Sequence, residues 1–123
     1  MVVIDTDDTK RNFEEISLSV KQGLLENIPQ ANENNTKLAL YALYKIATVE
    51  VEDESSNLSL LKPNISRPGM FDPVGQAKWD VWNNMVDTLE KNNTKGQNTL
   101  STIQDFSREK YIALVKKLQR SQR

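Results

Sequence analysis

Apolar residues recur every three or four positions in four stretches of this sequence, and most of its four glycines and four prolines lie between those stretches. This spacing places the apolar side chains of each stretch along one side of an α-helix, and no strand-like alternation competes with it. The sequence therefore predicts helices at residues 9–25, 35–49, 75–89 and 102–120. A chain of 123 residues can bury one hydrophobic core, so we expect a single all-α domain, a four-helix bundle over residues 9–120.

Two polar stretches are predicted to be long loops. Residues 50–66 begin with an acidic run and continue with serines, asparagines and Pro63, a composition typical of solvated loops. Within this loop, Leu58, Leu60 and Leu61 are expected to pin part of the chain to the body. Residues 91–99 form the second predicted loop.

Two further features concern the third and fourth helices. Ser101 and Gln104 have the spacing of a capping box, which predicts that Ser101 is the N-cap of the fourth helix. Trp79 and Trp82 lie three residues apart, and large aromatic side chains at helical spacing usually pack inward. We therefore expect both tryptophans in the core rather than at a ligand.

The composition excludes several kinds of active site. The chain has no histidine and no cysteine, which removes the imidazole base, the thiolate nucleophile, the disulfide and the usual zinc ligands. With 16 basic and 17 acidic residues, the net charge of −1 argues against a broad nucleic-acid surface. No stretch approaches the roughly 20 apolar residues of a membrane span, and no signal peptide is visible. We therefore expect a cytoplasmic protein that is not an enzyme and needs no metal or cofactor.

Two segments carry a pattern more specific than helical periodicity. Residues 41–49 read Tyr-Ala-Leu-Tyr-Lys-Ile-Ala-Thr-Val, and residues 67–83 begin Arg-Pro-Gly and continue through Gly-Gln-Ala-Lys-Trp-Asp-Val-Trp. In this order they closely resemble the signature of the acyl-CoA-binding protein family, over roughly residues 13–118. The resemblance implies a small four-helix bundle that binds long-chain fatty acyl-CoA esters in a shallow bowl and does no chemistry on them.

The resemblance also implies where the ligand binds. Tyr41, Tyr44 and Lys45 match second-helix positions that hold the adenine and the ribose 3′-phosphate, and Lys78 matches a third-helix lysine that meets the same phosphate. The physical chemistry of these residue types agrees, because lysines on different helices can converge on phosphate oxygens and tyrosine offers a ring for adenine. The full predicted set is Lys21, Tyr41, Tyr44, Lys45, Lys78 and Tyr111 for ligand binding, with Leu38 and Ala77 along the acyl groove.

Some positions depart from the family pattern. Gln76 stands where the family often has a lysine and Val74 at another common basic position, so two possible phosphate contacts are missing. Lys37 stands where the family usually has an apolar residue at the acyl groove. Both predicted loops are also longer than in the compact family members.

A second hypothesis concerns a larger protein. The sequence Asp-Pro-Val-Gly at residues 72–75 is similar to that of large, membrane-anchored peroxisomal members of the family. On this hypothesis the chain is an adaptor or receptor domain in selective autophagy, on the cytosolic face of the peroxisome, with protein partners bound through its acidic loop. The leading hypothesis is a monomeric carrier, pool former or sensor of long-chain acyl-CoA.

Overall fold

The computed structural model describes residues 6–51, 57–94 and 96–121, and within them the chain is helical and contains no strand. The prediction of an all-α four-helix bundle is confirmed. The four α-helices are α1 (Thr6–Lys21), α2 (Asn34–Thr48), α3 (Pro73–Asn92) and α4 (Leu100–Arg120), and two short 3₁₀-helices lie at Pro29–Asn32 and Leu58–Leu61.

Helix α2 is the centre of the bundle. It packs against both α3 and α4, while α1 packs mainly against α4. The side of α2 that carries Ala42, Leu43 and Ile46 is buried, and the opposite side is left open between α1 and α3. The core that these helices share includes Phe13, Leu25, Ile28, Leu40, Leu43, Ile46, Leu61, Val86, Leu89, Leu100, Ile103, Tyr111, Val115 and Leu118.

Helix α1 ends at Lys21, four residues before the predicted end. Gly23 adopts a φ of +104°, which an L side chain rarely tolerates, so the helix cannot continue through it. The Leu24 N–H donates to Ser19 O at 3.0 Å, and the Gly23 N–H donates to Val20 O at 3.1 Å. These two bonds form a Schellman motif, which satisfies the last carbonyls of the helix.

The starts of α3 and α4 also differ from the sequence prediction. Helix α3 begins at Pro73, with the Asp72 carboxylate accepting a hydrogen bond from the Gly75 N–H at 2.9 Å. Helix α4 begins at Leu100, and Thr99, not Ser101, is its cap. Thr99 has an extended backbone and its hydroxyl accepts from the Thr102 N–H, whereas Ser101 already lies inside the helix.

The chain after α2 is held to α3 over its second half. Leu58 and Leu61 are buried, whereas Leu60 is exposed. The indole N–H of Trp82 donates to Leu61 O, and that of Trp79 donates to Ile65 O, each at 2.8 Å. Both tryptophans are therefore half-buried, and their indole groups hold this loop against α3. Trp82 packs against the core, but Trp79 does not, so the expectation that both lie in the core is wrong for Trp79. The predicted acidic run begins at Glu50, and its other members, at residues 52–54, lie outside the described residues.

The turn before α3 is held by an ion pair. The Arg67 guanidinium donates to both Asp80 carboxylate oxygens, at 2.8 and 2.9 Å. Hydrogen bonding to this guanidinium lowers the pKa of Asp80 below its ordinary value. In the same region Gln76 donates to Pro68 O, so residues 67–72 are fixed against the first turns of α3.

Side chains of α4 satisfy carbonyls near the end of α2. The buried Gln104 amide donates to Ile46 O at 3.1 Å and to Val49 O at 2.7 Å. The buried Ser107 hydroxyl donates to Leu43 O at 2.7 Å. Because α2 carries half of the predicted site residues, these bonds fix the helix that contributes most to the site.

Replacing Gln104 by leucine is expected to lower the free energy of unfolding by about 1–3 kcal/mol, because the buried Ile46 carbonyl and the half-buried Val49 carbonyl lose their donor. Urea denaturation followed by circular dichroism measures the change. Gln119→Leu, at an exposed position of α4, is the matched control and should change the stability little. Equal effects of the two substitutions would contradict the assigned role.

Within the described part of the chain, no helix has both the length and the apolar character needed to cross a lipid bilayer.

Candidate functional site

The open side of α2 carries the residues from which the candidate site is built. Lys37, Tyr41 and Lys45 are spaced i, i+4 and i+8, so they lie along one face of the helix, and Tyr44 stands beside them. None of these four side chains is fully buried. This face therefore forms the floor of a shallow surface between α1 and α3.

A first cluster joins α2 to α3 and contains Tyr41, Lys45, Lys78 and Trp82. The Lys78 ammonium lies 5.3 Å from the centroid of the Tyr41 ring. The Lys45 ammonium lies 5.7 Å from the same ring and 5.6 Å from the Trp82 ring. The two rings meet edge to face with centroids 6.5 Å apart. Two positive charges from different helices thus converge on one aromatic pair.

A second cluster joins α2 to α1 and α4. The Lys21 ammonium donates to the Tyr44 hydroxyl at 2.7 Å and lies 4.7 Å from the Tyr44 ring centroid. Beneath Tyr44, the Phe13 and Tyr111 rings meet edge to face at 5.1 Å, and each also contacts the Tyr44 ring. Tyr44 is therefore oriented by a lysine at the surface and by two rings from the core.

The structure buries Tyr111 in the core, where its ring contacts the predicted ligand residue Tyr44. Only 3% of its surface is exposed, and it belongs to the hydrophobic core. Burial raises the pKa of Tyr111 to about 12, with a smaller contribution from Tyr44. Burial also raises the pKa of Tyr41, on the open face of α2.

The raised pKa of Tyr111 predicts how stability depends on pH. Because the folded state holds this proton more tightly, the contribution to stability is complete below the ordinary value of 10.0 and is lost as the pH rises toward about 12. Spectrophotometric titration should show a tyrosinate step near pH 12 that Tyr111→Phe lacks. The variant should also lose stability less steeply than the wild type over this range. A late step that persists in Tyr111→Phe would contradict the assignment.

The predicted acyl-groove residues lie on the two helices that border the first cluster. Leu38 is half-buried in the first half of α2, and Ala77 is half-buried beside Lys78 on α3. Helices α2 and α3 pack against each other. The two predicted acyl-groove residues therefore lie on the side of the open face of α2 that is next to α3.

Within the described part of the chain, no ion pair joins a lysine of this surface to a carboxylate. Among the described residues, the ion pairs involve other positions: Arg11 with Asp8, Lys62 with Asp87, Arg67 with Asp80 and Arg108 with Asp105. Lys21, Lys37, Lys45 and Lys78 take part in none of these pairs. Although the whole chain has a net charge of −1, this surface is locally positive and suits a ligand with several negative charges.

Two residues of this surface were not assigned to the site from the sequence. Trp82 was expected in the core, yet it contacts both Tyr41 and Lys45. Its position three residues from Trp79 gave no sign of this, because the contact depends on how α2 and α3 cross. Lys37 was noted only as a departure, although its spacing of four residues from Tyr41 places it on the same face.

A comparison with protein-family models identifies the class of protein. The model described as "Acyl CoA binding protein" matches residues 10–115, which is most of the chain. The chain belongs to the acyl-CoA-binding protein family.

Individual members of the acyl-CoA-binding protein family and a related enzyme are similar to this chain. The acyl-CoA-binding protein of Fritillaria agrestis is 38% identical over 73 residues, 59% of this chain and 66% of that protein. Acyl-CoA-binding domain-containing protein 5 of Xenopus laevis is 37% identical over 84 residues, 68% of this chain and 15% of that protein. Human enoyl-CoA delta isomerase 2 is 39% identical over 75 residues, 61% of this chain and 15% of that protein.

The chain thus spans just under two thirds of the first relative's length and about one seventh of the other two. No solved structure matches it significantly.

Proposed function

We propose that this protein binds long-chain fatty acyl-CoA esters without reacting them. The observation that carries the proposal is the convergence of Lys45 and Lys78 on the Tyr41–Trp82 pair. Coenzyme A ends in a nucleotide with a 3′-phosphate and a diphosphate, and such a group is best held by cations from more than one helix. Membership of the acyl-CoA-binding protein family supports the same ligand.

Each part of the ligand has a partner in this proposal. Lys45 and Lys78 bind the 3′-phosphate, and the Tyr44 ring meets the adenine. Lys21 keeps the Tyr44 hydroxyl in place through its 2.7 Å hydrogen bond and adds positive charge at the nucleotide. The acyl chain lies beside Leu38 and Ala77, where each buried methylene contributes about 0.8 kcal/mol. Tyr111 acts from the core by supporting Tyr44.

We also propose that the chain does not catalyse a reaction of the bound acyl-CoA. The chain has no histidine or cysteine, and the described residues contain no group of three or more carboxylates that could hold a metal ion. The similarity to human enoyl-CoA delta isomerase 2 covers only 15% of that enzyme, so it does not bring an isomerase activity to this chain. Analysis of the acyl-CoA after prolonged incubation tests the point, since formation of free CoA or of an isomer would contradict it.

The adaptor hypothesis stays a prediction. The acidic loop at residues 50–66 was to bind protein partners, and its residues 52–56 lie outside the described residues. Xenopus laevis acyl-CoA-binding domain-containing protein 5 is similar to the chain, but the match spans 15% of that protein. We therefore keep acyl-CoA binding as the proposed function, with a monomer in the cytoplasm as the accompanying proposal.

Isothermal titration calorimetry with palmitoyl-CoA tests the proposed function, with free CoA and palmitate as matched controls. We expect one-to-one binding of the ester and much weaker binding of either half alone, because the phosphate and acyl parts each contribute. Failure of the folded chain to bind palmitoyl-CoA would overturn the proposal. Circular dichroism on the same sample establishes that the chain is folded.

A further inference from the structure

An apolar patch protrudes from the chain just before α3 and continues into its first turn. Its members are Met70, Phe71 and Val74, whose side chains are 77%, 95% and 65% exposed, and we call them the apolar tip. Met70 and Phe71 occupy the two central positions of a turn that is closed by a hydrogen bond from the Asp72 N–H to Gly69 O at 3.0 Å. Two large apolar side chains therefore stand next to each other at the end of a turn, in contact with solvent.

Polar contacts hold this turn in place. Gln76 donates to Pro68 O on one side of it, and on the other the Asp72 carboxylate accepts from the Gly75 N–H. Phe71 directly precedes the N-cap Asp72, where an apolar residue often packs against the fourth residue of the helix. Here that fourth residue is the polar Gln76, and Phe71 is almost fully exposed. The apolar side chains of the tip are therefore not explained by the stability of α3.

The apolar tip is continuous with the candidate site. Val74 and Lys78 are four residues apart on α3, so they lie on the same face of the helix, about 6 Å apart along its axis. Lys78 belongs to the first cluster, and the predicted acyl-groove residue Ala77 directly precedes it. The tip thus stands at the end of α3 that borders the proposed phosphate and acyl sites.

We propose that the apolar tip inserts into the surface of a lipid bilayer and docks the protein there. The choice of a bilayer rests on the proposed function, because a long-chain acyl-CoA is an amphiphile whose acyl chain partitions into membranes. Two adjacent side chains at the end of a turn suit shallow insertion, and an aromatic ring suits the boundary between headgroups and acyl chains. Docking through this turn places one end of the site next to the membrane that holds its proposed ligand.

The charges near the tip show which interaction must carry the docking. Residues 67–80 contain two cations and two carboxylates. Arg67 and Asp80 neutralise each other in their ion pair, and the carboxylate of Asp72 offsets the charge of Lys78. Because these charges cancel, the apolar side chains supply the affinity. Docking should therefore occur on uncharged phosphatidylcholine and should persist at high salt, where exposed charges are screened.

Co-sedimentation with phosphatidylcholine vesicles, without acyl-CoA, tests the proposal. We expect the wild type to bind and Phe71→Ala to lower its partition coefficient by roughly tenfold, because a large apolar side chain no longer leaves water. Leu18→Ala is the matched control, since Leu18 is 55% exposed on α1, outside the tip, and this variant should bind like the wild type. Both substituted side chains are exposed, so both variants should fold, which circular dichroism establishes.

A fluorescent reporter distinguishes insertion from contact with the headgroups. Phe71→Trp places an indole at the tip, whereas the two native tryptophans, Trp79 and Trp82, are half-buried in the protein. Phosphatidylcholine that is brominated on its acyl chains should quench this variant more strongly than the wild type. Equal quenching of the two proteins would contradict insertion at Phe71.

The other outcomes separate this inference from the proposed function. A wild type that does not bind the vesicles overturns docking on lipid and leaves an apolar pocket of a protein partner as the occupant of the tip. Equal binding by Phe71→Ala and the wild type, or an equal loss in Leu18→Ala, also overturns it. Phe71→Ala should bind palmitoyl-CoA in solution like the wild type, and weaker binding would make Phe71 part of the ligand site instead. A wild type that binds vesicles but not palmitoyl-CoA overturns the proposed function and supports docking.

Discussion

Replacing Lys45 or Lys78 by alanine is expected to weaken the binding of palmitoyl-CoA by roughly ten- to a hundredfold. Each lysine would lose charge-assisted hydrogen bonds to phosphate, which contribute about 1.5–3 kcal/mol, and every 1.4 kcal/mol corresponds to about a tenfold change in affinity. The two ammonium groups lie near the same Tyr41 ring, at 5.7 and 5.3 Å from its centroid, so both charges border one part of the surface. Calorimetric titration of each variant measures the change.

A ligand without the 3′-phosphate shows whether these lysines act on that group. Palmitoyl-3′-dephospho-CoA should bind the wild type more weakly, and Lys45→Ala and Lys78→Ala should then have much smaller further effects. Lys91→Ala, at the far end of α3, is the matched control and should bind both ligands like the wild type. If the alanine variants weaken both ligands equally, the lysines do not hold the 3′-phosphate, and the assigned orientation of the nucleotide is wrong.

The class of fold could be predicted from the sequence because the apolar spacing of each helix is a local property. The ends of the helices were harder to predict, because each end depends on the backbone conformation and capping hydrogen bond of a single residue. Gly23 ends α1 early because its φ is positive. Helix α4 is capped by Thr99 and not by Ser101. The glycine and both candidate capping residues are visible in the sequence, but residue type alone does not show which of them ends or begins a helix.

The sequence motifs named several residues of the candidate site but not their arrangement. The sequence motifs named Tyr41, Lys45 and Lys78, and the structure brings these three together. The motifs did not separate Tyr111, which lies in the core, from the residues at the surface. They also did not show that Trp82 joins the lysines. That contact is made between two helices, and its residues, Lys45 and Trp82, are 37 positions apart in the sequence. Distances across the bundle depend on packing, which periodicity does not encode.

Replacing Phe13 by alanine is expected to lower the free energy of unfolding by about 3–5 kcal/mol. Phe13 is buried, and its ring contacts the Tyr111 ring at 5.1 Å and the Tyr44 ring at 5.8 Å. The substitution would remove these contacts and leave a cavity where α1, α2 and α4 meet. Because the total stability of a small domain is about 5–15 kcal/mol, the loss is a large part of it. Urea denaturation followed by tryptophan fluorescence and circular dichroism measures the change.

The same substitution separates support of the site from support of the fold. Leu18→Ala, on the same helix but with 55% of Leu18 exposed, is the matched control and should cost far less. In the folded fraction of Phe13→Ala, Tyr44 keeps its hydrogen bond to Lys21 but loses one of the two core rings that orient its own ring. We therefore expect palmitoyl-CoA to bind folded Phe13→Ala more weakly, although Phe13 itself is buried. If affinity is unchanged once the unfolded fraction is taken into account, Tyr44 is oriented by Lys21 and Tyr111 without Phe13, and the aromatic cluster serves stability alone.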